Sequence, residues 1–214
     1  MPVLVAPDAS RGRRVLVLLV GLVLVAVGVA CTIQAELGVA PYDVLTTGLR
    51  DLFGVPIGVA AIILPAVFMA LGVLLGGRFG LGSILALTLV GPMLGGALAV
   101  LPDVEPMVPR LALFAVGFVL ITLGITLVVV PRIGPGPAEL LMLAIHDRGY
   151  PLAPVRTGIE VASVAVGWAM GGQVGIGTIG FALVIGPALR RSLEWTGFES
   201  TDAAEASDAA APGA

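Results

Sequence analysis

Two short polar stretches carry most of the chemistry-bearing side chains in an otherwise apolar chain. The first, residues 37–53 (LGVAPYDVLTTGLRDLF), holds Asp43, Thr46, Thr47, Arg50 and Asp51. The second, residues 133–147 (IGPGPAELLMLAIHD), holds Glu139, His146 and Asp147. Both open on helix-breaking residues, Gly38 and Pro41 in one, Gly134 and Pro137 in the other. Glycine and proline end a preceding helix, and proline suits the first turn of the next. On a helix at roughly 100° per residue, Asp43, Thr46, Thr47, Arg50 and Asp51 fall on one arc. Tyr42, Val44, Leu45, Leu49, Leu52 and Phe53 cover the rest. In the second stretch Glu139 takes the place of Asp43, His146 that of Arg50, and Asp147 that of Asp51.

Each stretch thus presents an acid and, two turns along, a basic or titratable group. Turned inward, such a face can line a path for a polar or charged solute. The broken start of the helix adds unpaired backbone N–H groups and a positive dipole end. Turned outward, the same face would lie at the membrane surface with its charges solvated. The candidate substrate-path residues are Asp43, Thr47, Arg50, Glu139 and His146. Glu160 joins them because an acid inside an apolar run is costly and a default functional candidate. Arg156, four residues earlier, is placed to pair with it. His146 is the one histidine in the chain. A metal site would want Cys or several carboxylates beside it, and a hydrolase would want a nucleophile. Hence no catalytic residue, metal or cofactor is assigned, and an enzyme is not expected.

The elements that carry these residues are membrane helices. The chain has 214 residues, 58% of them hydrophobic and 12% charged. A globular chain would carry about 25% charged residues, and the charges here cluster between long apolar runs. Net charge is −3, and no basic patch points to nucleic acid. The single Cys excludes an intrachain disulfide. Six spans are predicted, over residues 15–30, 56–75, 81–101, 111–130, 154–170 and 176–189. Each approaches the ~20 residues that cross ~30 Å of hydrocarbon. Within the first polar stretch Pro41–Phe53 is 13 residues with three charges, too short and too polar for an ordinary span, and both stretches are expected as re-entrant or interfacial helices. Counting them as crossings gives the alternative of eight spans.

The first span follows Arg11, Arg13 and Arg14 and ends in GVAC at residues 28–31, the outline of a signal peptide with a lipoprotein-type Cys. An internal repeat argues instead for a retained span. At an offset of 96 residues Gly21, Gly28, Gly38 and Pro41 meet Gly117, Gly124, Gly134 and Pro137. At an offset of 95, Gly72, Gly76, Gly77, Gly80 and Gly82 meet Gly167, Gly171, Gly172, Gly175 and Gly177, and Gly91-Pro92 meets Gly186-Pro187. The first span therefore corresponds to residues 111–126, which cannot be a signal peptide. Three spans per half make the halves inverted in the membrane, the plan of many transporters.

This predicts a cytoplasmic segment 1–14, a first repeat over 15–101, an external loop at 102–110, a second repeat over 111–195, and a disordered acidic cytoplasmic tail at 196–214. Arginine placement fits cytoplasmic termini, with only Arg50 and Arg110 outside in the six-span arrangement. The pairs Gly72/Gly76, Gly76/Gly80 and Gly167/Gly171 are read as close helix-packing sites. Gly91-Pro92 and Gly186-Pro187 are read with Gly38, Pro41, Gly134 and Pro137 as helix-break or structural positions.

LGVAPYDVLTTGL, IGPGPAELLM and the GIGTIGFALVIGP stretch at residues 175–187 resemble the YczE-like family of bacterial integral membrane proteins. The resemblance runs over residues 15–191 and rests on the Gly/Pro framework. The second stretch in that family often reads GPGPRDGLM. Here Glu139 stands at the acidic position, Ala138 replaces the Arg and Leu140 the Gly. The resemblance implies a multi-pass protein of the bacterial plasma membrane, loosely described as permease-like. Residues and resemblance together suggest a permease for a small polar or anionic solute, alternating between two inverted halves in the lipid bilayer. The other reading is a non-transporting scaffold or regulatory partner, in which the polar helices dock a membrane protein or a second copy of the chain.

Overall fold

A computed structural model of the protein describes residues 10–196, which form eight α-helices and, among the described residues, no strand. The helices are α1 (Arg11–Ala35), α2 (Pro41–Phe53), α3 (Ile57–Leu74), α4 (Leu81–Val100), α5 (Met107–Val129), α6 (Pro137–His146), α7 (Leu152–Ala169) and α8 (Ile176–Trp195). The expected tail lies outside the described residues except for Thr196, as do residues 1–9.

Five helices, α1, α3, α4, α5 and α8, are long and apolar enough to cross a membrane. At ~1.5 Å per residue even the 18-residue α3 covers most of the ~30 Å of hydrocarbon. α7 has the same length but holds Arg156 and Glu160 in its first half, so it falls outside this apolar set. α2 has 13 residues and α6 has 10, about 20 and 15 Å, too short to span unaided.

The broken starts follow from local chemistry. Pro41 and Pro137 each sit at the first position of their helix, where the missing N–H costs nothing. Gly38 (φ 102°) and Gly134 (φ 138°) turn the chain ahead of them. Gly91-Pro92 and Gly186-Pro187 act differently from that expectation. α4 and α8 run on through Pro92 and Pro187 without a break. Each proline removes one backbone hydrogen bond, which a transmembrane helix tolerates when its neighbours adjust.

The core is organised around α1, which packs along α5 and against α4. Small residues allow the α1–α5 approach. A Cβ on Gly28 would meet the Gly117 carbonyl oxygen at 2.8 Å, and one on Gly117 would meet that of Gly28 at 2.8 Å. Gly21 and Gly124 stand in the same relation one helical repeat away. The two short helices then cross over: α2 packs on α7, and α6 packs on α3. Matching backbone hydrogen bonds fasten the crossings. Gly177 N–H donates to the Leu37 carbonyl (2.7 Å), and Gly82 N–H donates to that of Ile133 (2.9 Å).

Two glycines do a different job from close packing. Gly76 and Gly171 have φ of 79° and 89°; a Cβ would meet nothing within 4 Å at Gly76 and only Asp51 Cβ, at 3.8 Å, at Gly171. They end α3 and α7 in left-handed turns, which glycine adopts without the Cβ penalty. Their partners in the expected pairs, Gly72 and Gly167, are the packing sites. Gly72 lies on Leu140 and Leu141 of α6, and Gly167 on Val44 and Leu45 of α2.

Candidate functional site

The polar arc of α2 divides on folding. Thr47 is fully buried and faces protein. Its hydroxyl donates within the helix, to the Asp43 carbonyl at 2.9 Å or the Val44 carbonyl at 3.0 Å, and accepts the Gln173 N–H at 3.0 Å. Thr47 is therefore the bolt between α2 and the α7–α8 link. Thr46, also buried, bonds only the Tyr42 carbonyl of its own helix (3.2 Å). Thr47→Val is expected to lower stability by about 1–2 kcal/mol, because it leaves the Gln173 N–H without its acceptor. Thr46→Val should change thermal unfolding little. Parallel melts of the two variants in detergent check this.

Arg50 turns away from Asp43. Its Nε lies 2.6 Å from the Asp51 carboxylate, and both side chains are about one-third exposed. Such a pair contributes ~0–1 kcal/mol. Asp43 is half-buried, and its carboxylate takes part in no hydrogen bond or ion pair among the described residues. On α6, His146 Nδ1 lies 2.8 Å from the Tyr150 carbonyl oxygen, so it closes the turn after the helix. Asp43, Arg50 and His146 are thus not drawn together.

Glu139, by contrast, shares an electrostatic neighbourhood with Glu160. Glu160 is held by Arg156, Nε to Oε1 3.0 Å. Tyr42 lies within electrostatic reach of Glu139, Glu160 and Arg156, and Arg156 within reach of Tyr42 and both carboxylates. The first turns of both broken helices, carrying Tyr42 and Glu139, therefore come near the Arg156–Glu160 ion pair of α7. The Tyr42 ring is fixed edge-on against Phe68 of α3, with centroids 5.9 Å apart. Two carboxylates, one guanidinium and one phenol thus share one neighbourhood, a set suited to holding a proton or a cationic or hydrogen-bonding solute. Tyr42 was hidden in the sequence among the apolar residues of α2. Its signal is its place directly after Pro41, in the turn matching that of Glu139.

Glu139 also borders a cavity of about 580 Å³ reached between α1, α4, α5 and α6. Its walls are mostly apolar, with Leu22, Val25, Val90 and Ile125 among them, and Arg132 stands at one end. A second cleft, of about 740 Å³, adjoins it and shares Arg132, Gly134 and Pro135. A Cβ on Gly136 would run into the Glu139 carboxylate. Gly136 thus leaves space for that side chain to fold back over the helix start.

An uncharacterized membrane protein, YczE, of Bacillus subtilis (strain 168) is 32% identical over 176 residues, covering 81% of this chain and 82% of the relative. An uncharacterized protein of Haemophilus influenzae is 27% identical over 182 residues, 85% of this chain and 84% of the relative. A second Bacillus subtilis protein, YyaS, also uncharacterized, is 25% identical over 166 residues, 75% and 82% of the two chains. No solved structure matches. The resemblance read from the Gly/Pro framework holds, and the chain is an integral membrane protein. Residues 12–192 match the family of unknown function DUF6198, and the chain belongs to that family.

Proposed function

We propose that the protein is a permease for a small polar or charged solute, working by alternating access between two inverted halves, residues 15–101 and 111–195. The polar cluster of Tyr42, Glu139, Arg156 and Glu160 is its solute or proton site. The halves exchange their short helices, which is how an inverted repeat places broken helices at its interface. In the six-span arrangement α7 is the remaining crossing, and its ion pair, with Arg156 exposed and Glu160 half-buried, lies near the turns where α2 and α6 begin.

The observation that carries the proposal is an inequality between the halves. α3 packs against α4, with Gly58 and Gly91 in backbone contact. α7 has no comparable contact with α8, and Gly186 at the matching step meets open space. One half is closed where the other is open, as expected of one end state of a rocking cycle. Alternation would exchange which pair is packed.

The test uses purified protein in proteoliposomes with an imposed pH gradient and a panel of small cationic, zwitterionic and anionic solutes. Wild type is expected to move at least one of them. Glu139→Gln should lower that flux at least about tenfold, a loss of ~1.4 kcal/mol in the transition state. Arg50→Gln, on the exposed pair, should leave it within about twofold, in keeping with the small worth of a surface ion pair. No flux from wild type, or equal flux from wild type and Glu139→Gln, would sink the proposal.

A further inference from the structure

Three segments far apart in sequence bring four guanidinium groups to the 740 Å³ cleft. Arg11 and Arg14 open α1, Arg78 lies in the α3–α4 link, and Arg132 lies between α5 and α6. No carboxylate stands among the described residues that line it. Arg14 and Arg132 have interactions of their own, yet the walls still bring four like charges together.

The matched corner at the other end of α1 closes on a carboxylate. There Arg110, at the start of α5, donates from Nε to the Ala35 carbonyl (2.7 Å) and from Nη2 to the Glu36 carboxylate (3.0 Å). Glu36 follows α1, and Arg132 holds the same place after α5. They are the two non-glycine residues with positive φ among those described, at 51° and 50°. Arg14 and Arg110 likewise sit near the starts of α1 and α5. One corner thus closes an arginine on a glutamate. The other puts an arginine in the glutamate's place and adds Arg11 and Arg78.

We propose that this cleft binds a phosphate group. Arginine forks match phosphate oxygens in pairs. Arg132, Gly134 and Pro135 also line the apolar cavity next door, which can take a hydrocarbon chain. The same headgroup chemistry is available on an anionic phospholipid or on a water-soluble phosphate ester. The adjoining apolar chamber favours the lipid. The site is separate from the Tyr42–Glu139 cluster, and binding to it needs no transport.

The test titrates the full-length protein in a neutral detergent with phosphatidylglycerol, phosphatidylcholine or glycerol 1-phosphate. Thermal stability and native mass spectrometry are the readouts. Phosphatidylglycerol is expected to bind saturably and raise Tm, and phosphatidylcholine is not. Arg11→Gln with Arg78→Gln, both exposed positions, should weaken binding at least about tenfold. Arg132→Glu should abolish it by recreating the Glu36–Arg110 arrangement, which already tolerates glutamate at that φ. Arg190→Gln with Arg191→Gln, exposed on α8 and outside the cleft, should leave it unchanged. Glycerol 1-phosphate binding with the same dependence on Arg11, Arg78 and Arg132 would uphold the phosphate site and assign it to a soluble ester. Equal binding of the two lipids, or equal loss in the Arg190/Arg191 variant, would overturn the proposal.

Discussion

Gly167→Leu is expected to leave little folded protein. A Cβ at this position in α7 would lie 2.6 Å from Leu45 Cα, Leu45 N and the Val44 carbonyl carbon of α2. All three are backbone atoms, so no rotamer change relieves the clash. The helices must part, and with them goes the seat of Thr47 on Gln173. Overpacking a tight contact costs about 1–3 kcal/mol and sometimes more, and this site belongs at the upper end. Gly158 in the same helix provides the control, because a Cβ there meets nothing within 4 Å. Gly158→Ala should hold or raise stability by up to ~1 kcal/mol through helix propensity. Monodispersity on size exclusion and thermal melts in detergent separate the two. Equal behaviour of the two variants would show that α2 does not depend on α7 for its place.

Much of this fold was legible because membrane helices announce themselves by length and apolarity. The starts of α2 and α6 were fixed by Pro41 and Pro137, since proline at a first turn has a definite geometric meaning. The Arg156–Glu160 pair followed from its spacing of four residues. Other features depended on which neighbour covers a face, and periodicity is silent on that. Thr47 shares an arc with Arg50, yet one is sealed against Gln173 and the other faces Asp51 at the surface. Tyr42 reads as one more large side chain until the packing of α2 and α6 on α7 brings it within electrostatic reach of Glu139. Gly76 and Gly72 show the limit of spacing most directly. Four residues apart suggests one packing stripe, but a positive φ at Gly76 makes it a turn. Only backbone geometry distinguishes the two uses of a glycine.

The matched glycines of α4 and α8 give the sharpest expected contrast between a moving permease and a fixed scaffold. Gly91 lies against the Gly58 carbonyl, and its Cβ would also come within 2.6 Å of Ile62 Cγ1. Gly91→Leu should therefore disfavour the packed α3–α4 arrangement by about 1–3 kcal/mol. Gly186 meets nothing within 4 Å, so Gly186→Leu costs nothing in the arrangement described. In a scaffold it would be silent. In an alternating protein it obstructs the exchanged state, in which α7 must close on α8, by a similar 1–3 kcal/mol. That shifts the two-state population about 5- to 150-fold. Spin labels at Val161→Cys on α7 and Leu183→Cys on α8, both exposed positions, report the distance between the helices without any need to know the solute. Cys31, the one native cysteine, is buried and is replaced by Ser in this background. Reconstituted wild type should show a long and a short distance, and Gly186→Leu should deplete the short one while its melting temperature stays put. Gly91→Leu should enrich the short distance and melt earlier. A single distance common to all three proteins would mean that the gap between α7 and α8 is a fixed surface, and the scaffold would then be the better account of this chain.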